Sequence, residues 1–207
     1  MANSANVANY YIGKGVVKIK RLGIDNDYRD VGNVPEFEFT PEVEELEHFS
    51  SREGTRTKDR TVAIEKSASL RLVMEEWTAA NLALALMGTP EENTAGQIEI
   101  SIFSENAISC SVLFVGANDV GPRWQLEFPR VDFLPSSALN PISDEWGQIE
   151  VTGDVVVVDG SFGTATKLAN EDGDEETEEL ASEINSDDSG SDSAANSDDS
   201  ASDSDNP

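Results

Sequence analysis

Glu36-Phe37-Glu38-Phe39-Thr40 alternates polar and aromatic side chains without a break, and residues 61–74 continue the theme at greater length. Successive side chains of an extended chain point to opposite faces, so a period of two separates a wet face from a dry one. In 61–74, Val62, Ile64, Ala68, Leu70, Leu72 and Met74 fall on one face, with Lys66 the exception. Thr61, Glu65, Ser67, Ser69 and Arg71 fall on the other. Two one-sided strands close together in sequence describe an antiparallel hairpin with one solvated face. Pro41 lacks an N–H and marks an edge or a bulge in the first strand. Between the strands, residues 48–60 are polar, carry both charges and contain Gly54. This stretch is read as a long hairpin loop, near the length at which loops acquire a function.

The rest of the chain follows the same logic. Residues 10–22 are rich in β-branched and aromatic side chains and predict a strand, and 23–35 carry turn residues such as Gly32-Asn33 ahead of Pro35. Residues 75–87 predict a helix: Glu75 and Glu76 suit its start, alanines and leucines fill it, and Gly88 and Pro90 stop it. Only Thr78 and Asn81 interrupt its apolar surface, so it must be covered by a core or by a neighbouring subunit. Ile98, Ile100 and Ile102, then Ile108, Cys110, Val112 and Phe114, then Trp124, Leu126 and Phe128 alternate in turn. Val131 and Phe133 resume out of phase after Pro129, which predicts a bulge. Residues 149–158 predict a last strand. The fold class is therefore mainly β, an antiparallel sandwich or barrel with one flanking helix at about 75–87 and a long hairpin loop at about 48–60.

Charge divides the chain in two. The formal net charge is −27, from 41 acidic and 14 basic side chains. Residues 171–207 hold 15 of the acids and none of the bases, which leaves 26 acids and 14 bases, a net of −12, in the rest. Asn-Ser-Asp-Asp-Ser-Gly-Ser-Asp-Ser at 185–193 recurs with one change at 196–204. Such a segment has no apolar face to offset its ordering entropy, so the domain boundary is placed at 166 and residues 167–207 are read as a disordered acidic tail. An acidic body without a basic patch is a poor ligand for nucleic acid or an anionic membrane, and no cation lies between Arg71 and Arg123.

The search for chemistry returns little. The one cysteine, Cys110, excludes an internal disulfide, and its place in an alternating apolar run reads as a small buried side chain. His48 has no second imidazole to share a metal, and a nucleophile–base–acid triad would have to use this one histidine beside an expected flexible loop. Gly13-Lys-Gly15 lacks the third glycine of a dinucleotide loop, and the run from Leu168 puts leucine at the first position of a calcium loop. The expectation is a protein that is not an enzyme and uses no cofactor and no metal. Residues 1–6 show neither a basic nor an apolar leader region, and no segment is long enough to span a bilayer, so no membrane partner is expected.

One resemblance stands beside this reading. Tyr10-Tyr-Ile-Gly-Lys-Gly, Val31-Gly-Asn-Val-Pro-Glu-Phe-Glu-Phe-Thr-Pro-Glu-Val-Glu, His48-Phe-Ser-Ser-Arg-Glu-Gly, the strand 61–74 and Glu76-Trp-Thr-Ala-Ala-Asn-Leu-Ala-Leu-Ala-Leu-Met-Gly together resemble the major tail-tube proteins of siphophages. The likeness covers about the first 90 residues, and the acidic tail is no part of it. It implies a β-sandwich with a flanking helix, assembled as rings, usually hexameric, stacked into a tube around a tape-measure protein and closed by tail-end proteins. DNA later passes through the tube without specific contacts. The location implied is the virion, after assembly in the host cytoplasm. The hairpin loop would bridge to the next ring through Ser51, Arg52, Glu53, Gly54, Arg56, Lys58, Asp59 and Arg60. The wet hairpin face, with Glu36, Glu38, Glu44, Glu65, Ser67 and Ser69, would line the lumen, where like charge keeps DNA from sticking. Trp77, Leu82, Leu84 and Leu86 would pack the helix against a neighbouring subunit. The alternatives are another virion structural or decoration protein, or a surface-exposed β-sandwich on an acidic stalk.

Overall fold

The computed structural model describes residues 5–52, 54–135 and 137–169. Ten strands and one helix follow one another: β1 (Gly15–Arg21), β2 (Arg29–Asp30), β3 (Glu36–Ser50), β4 (Thr57–Met74), α1 (Ala79–Leu86), β5 (Pro90–Glu92), β6 (Ile98–Ile100), β7 (Ile108–Gly116), β8 (Arg123–Pro135), β9 (Ile149–Val155) and β10 (Thr164–Leu168). The expected mainly β, antiparallel class with one helix is what the chain adopts. The eight-stranded sheet runs β2-β1-β7-β8-β9-β4-β3, and β5 with β6 forms a separate two-stranded hairpin. Strand β8 serves two neighbours on one side: β10 pairs with Arg123–Glu127 and β9 with Val131–Pro135.

The sheet rolls on itself without closing into a barrel. Phe37 of β3 stacks on Phe114 of β7 at 5.2 Å between ring centroids, and Phe39 meets Phe128 of β8 at 5.0 Å. The space between the two halves of the roll is the core, filled by Val17 and Ile19, Leu70, Leu72 and Met74, Cys110 and Val112, Val131 and Phe133, and Ile149 and Val151. Each fully buried aliphatic or aromatic side chain there contributes roughly 1.5–3 kcal/mol. The bulge expected after Pro129 is present: Cys110 faces Val131 while Val112 faces Phe128, so β8 has an extra residue where β7 does not. Gly153 lets β9 pass close beneath β8, because a Cβ there would lie 2.6 Å from Val131 Cγ1.

Several boundaries differ from expectation. The helix begins at Ala79 and not at 75, because Thr78 is its N-cap and its side chain accepts from the Asn81 N–H. Glu75 and Glu76 instead anchor the turn before β3: the Glu75 N–H donates to the Asn33 carbonyl at 3.0 Å, and the Asn33 N–H donates to Glu76 Oε1 at 3.3 Å. Gly32, at φ 86°, makes room for that carboxylate. The helix stops at Met87, which takes the left-handed conformation itself, before Gly88 is reached.

The loop is the second difference. Strands β3 and β4 stay paired as far as Ser50 and Thr57, so the connection is 51–56 and not 48–60. Across the strands, His48 Nδ1 hydrogen-bonds Asp59 Oδ1 at 2.6 Å, and Lys58 closes an ion pair with Glu47 at 2.8 Å. The stretch lacks alternation because neither of its faces is buried. At the other end, the strand expected at 149–158 stops at Val155 and is not the last, since β10 follows along β8 as far as Leu168. The acidic tail from residue 170 onward lies outside the described residues.

Candidate assembly surfaces

The hairpin β3–β4 is longer than the sheet that carries it. Strand β9 pairs only with Ser69–Met74, and β3 is the last strand on its side. Everything from Pro41 round to Ser67 therefore has the partner strand alone for support, and nearly every described residue in it is exposed. At about 3.3 Å per residue this arm reaches roughly 30 Å beyond the body. Val43, Leu46, Phe49, Val62 and Ile64 are exposed on it, with Leu46 directly opposite Val62 beyond a bulge. Its charge is segregated. The root carries Glu42, Glu44, Glu45, Glu47 and Glu65 against Lys66, and among the described residues the tip carries Arg52, Arg56, Lys58 and Arg60 against Asp59. The hydrogen bond to Glu47 raises the Lys58 pKa, and the Arg56 guanidinium lies 5.6 Å from the Phe49 ring centroid.

Of the residues expected in the contact loop, Ser51, Arg52, Gly54 and Arg56 lie in the connection, and Glu53 lies outside the described residues. Lys58, Asp59 and Arg60 belong to β4: Lys58 lies opposite Phe49 and Arg60 opposite His48, and Asp59 sits at the register shift between them. Arg52 and Arg60 make no ion pair among the described residues.

The register brings the six wet-face candidates together. Glu38 lies opposite Arg71, Thr40 opposite Ser69, Glu42 opposite Ser67 and Glu44 opposite Glu65, with Glu36 one step further along the same face. The face continues across the sheet, which the hairpin sequence alone does not reveal. Ser69 pairs with Asp154 of β9, and Asp154 with Asp132 of β8, while Val73 pairs with Glu150. Glu36, Glu38, Glu42, Glu44, Glu65, Asp132, Glu150 and Asp154 thus share one side of four strands. Two arginines answer them. Arg71 donates to Glu150 from Nε and Nη2 at 3.0 and 3.1 Å and also bonds Glu36, and these bonds raise its pKa. Arg130 donates twice to Asp132 at 3.1 Å. Partial burial pushes the Asp132 carboxyl up, but the bonds from Arg130 and Ser109 outweigh it and hold it below its ordinary value. Like charges directly opposite, as in Glu44 with Glu65 and Asp132 with Asp154, oppose folding, so this face is not arranged for stability. The out-of-phase register after Pro129 was the one sequence signal that placed Asp132 outward.

The four helix candidates separate. Leu84 is fully buried within its own chain and offers no surface to a neighbour. Leu82 and Leu86 are half-buried, and Trp77 precedes the helix and is partly exposed. The covering that an all-apolar helix demands comes from the same subunit, chiefly β8 and β9. Asn81, which reads as a polar interruption, is fully buried. Its Nδ2 donates to the Val31 and Glu76 carbonyls at 2.9 Å each, and its Oδ1 accepts from Arg29 Nη1 at 2.7 Å.

Two further features carry no sequence signal of function. In the connection from β8 to β9, Ile142 is 95% and Trp146 90% exposed. Between the start of β3 and the strands β1, β7 and β8 lies an open groove of about 620 Å³ with Tyr11, Phe37, Phe39, Phe114, Trp124 and Leu126 in its wall. Among the described residues, no group of three or more His, Cys, Asp or Glu side chains is placed to hold a metal ion. No helix among them is long and apolar enough to cross a membrane.

Residues 10–101, under half of the chain, match a family model described as "Protein of unknown function UCP028589". No curated protein matches the chain. Among solved structures, the chain is similar to one from the tail of an empty GTA particle with C6 symmetry, at 12% identity and a TM-score of 0.35, over 75% of this chain and 96% of that one.

Proposed function

We propose that this chain is a structural subunit of a bacteriophage tail tube, stacking as rings into a hollow conduit for DNA. The observation that carries the reading is the acidic face on four strands, continued into an arm with no support from its own subunit. A carboxylate-lined face repels a phosphate backbone, so DNA slides past it without binding. An arm exposed on both faces, with apolar residues along it and cations at its tip, is a surface completed by another copy. The resemblance of the first 90 residues to siphophage tail-tube proteins supports the same assignment. In this arrangement Glu36, Glu38, Glu44, Glu65, Ser67 and Ser69 face the lumen, and the arm tip reaches the next ring. The tape-measure protein, the tail-end proteins and DNA are the other partners, and the subunit performs no catalysis. Negative-stain imaging of the purified full chain is expected to show hollow filaments of constant diameter. A monomer stable at every concentration and salt level, with no filaments, would overturn the assignment.

A further inference from the structure

Strand β4 has unlike surroundings at its two ends. Its first residue, Thr57, follows the arm tip, and its last, Met74, is followed by Glu75. Met74 pairs with Ile149, so the loop 137–148 that leads into β9 lies at this second end. There Glu75, Trp77, Asn140, Glu145, Trp146 and Gly147 line an open cavity of about 510 Å³. The loop is seated closely on Trp77, since a Cβ on Gly147 would lie 2.9 Å from Trp77 Nε1. Trp77 is 37% and Trp146 90% exposed, and among the described residues no cation lies over either ring. The Glu75 carboxylate accepts from the side-chain amides of Asn33 and Gln148, which are neutral. Among the described residues neither Glu75 nor Glu145 closes an ion pair. Two indoles and two uncompensated carboxylates around one cavity make a site for an organic cation, because the ring faces attract it and the carboxylates balance its charge.

We infer that this cage receives the arm tip of a second copy, with the Arg52 guanidinium against the tryptophan rings. The inference rests on the self-assembly of the tail-tube reading and names the surface on which the arm lands. Charge selects the occupant. Loop 137–148 carries Asp144 and Glu145 and no base, whereas the tip carries Arg52, Arg56, Lys58 and Arg60. Of these, Lys58 is paired with Glu47 and Arg56 leans on Phe49 of its own arm, while Arg52 sits in the connection itself, exposed and without an ion pair among the described residues. Position agrees with charge. Tip and cage lie at opposite ends of a strand of 18 residues, roughly 60 Å at ~3.3 Å per residue. The arm therefore cannot reach the cage of its own subunit. Copies that follow one another along the strand direction bring the tip of one to the cage of the next, a heterologous contact that repeats. A single cage holds weakly, but a ring of subunits makes the contact once per subunit and the contacts act together.

The test is disulfide trapping between two full-length variants, Thr55→Cys at the tip and Asn140→Cys in the cage wall. Cys110 does not compete, because burial encloses it completely and pushes its thiol up to about 12. Mixed under mild oxidation, the two variants are expected to form a crosslinked pair that neither forms alone. Adding Arg52→Glu to the tip variant, or Trp146→Ala to the cage variant, is expected to lower the yield about tenfold. Glu145→Arg in the cage variant is expected to restore the yield with Arg52→Glu, by reversing the pair. All of these positions are exposed, so the fold is unchanged. A mixture with no crosslink, a yield indifferent to Trp146→Ala, no rescue by Glu145→Arg, or equal crosslinking of Thr55→Cys alone overturns the inference. Imaging the same samples separates it from the broader reading. Tubes without the crosslink leave the tail-tube assignment standing and remove this contact, whereas the crosslink without tubes keeps the contact and removes the assignment.

Discussion

At the scale of single residues, Asn81 shows how one polar side chain ties two elements. It joins α1 to the strand edge at Val31 through two carbonyls and holds the partly buried Arg29. Burial lowers the Arg29 pKa, so the guanidinium depends on neutral acceptors such as Asn81 Oδ1 and the Ala80 carbonyl. Asn81→Ala would leave two buried carbonyls and one N–H of a cation without partners. The expected loss is about 2–4 kcal/mol of stability, read as a lower urea midpoint at unchanged slope. A loss below about 0.5 kcal/mol would mean that water or backbone shifts replace the amide. The sequence could not show this role, since an asparagine in an apolar helix reads equally well as its one wet position.

At the scale of elements, the arm is the part whose character depends on context. Its strands are held by the ladder and by exposed ion pairs, each of which contributes little in water. Its tip concentrates Arg52, Arg56, Lys58 and Arg60 in a body of net negative charge. Reversing two of them, Arg56→Glu with Arg60→Glu, is expected to stop ring stacking while the thermal unfolding midpoint of the monomer stays within a few degrees. Filaments of normal length from the double variant would show that the tip is not the contact between rings. The turn at 51–56 was hidden in the sequence because residues 48–60 have no apolar period. A strand wet on both faces leaves no such trace, and only the register with its partner reveals it.

At the scale of the whole molecule, net charge sets how copies approach one another. With −27 per chain, of which 15 acids fall in residues 171–207, packed subunits repel strongly at low salt. Fifteen extra carboxylates per copy would crowd a lumen, so in the proposed tube the segment is expected on the outside, where it would keep tubes apart. A chain ending at Leu168 is expected to form tubes of unchanged diameter that bundle side by side more readily, most visibly at high salt. If the shortened chain folds, by circular dichroism, but makes no tubes, the acidic segment takes part in assembly and this placement fails.

What the sequence determined by itself is local. Period-two alternation specified antiparallel strands with a wet and a dry side, a leucine- and alanine-rich run specified the one helix, and the phase slip after Pro129 specified the bulge in β8. These features are written in neighbouring residues because side-chain direction and burial are set within a few positions along the chain. Tertiary structure decided the rest. It placed β9 against only the last six residues of β4, which frees the arm. It aligned Asp132, Glu150 and Asp154 with the glutamates of β3, and it left Trp146 outside while burying Leu84. Those outcomes depend on pairings between residues tens of positions apart, and no local pattern encodes which strand lies beside which.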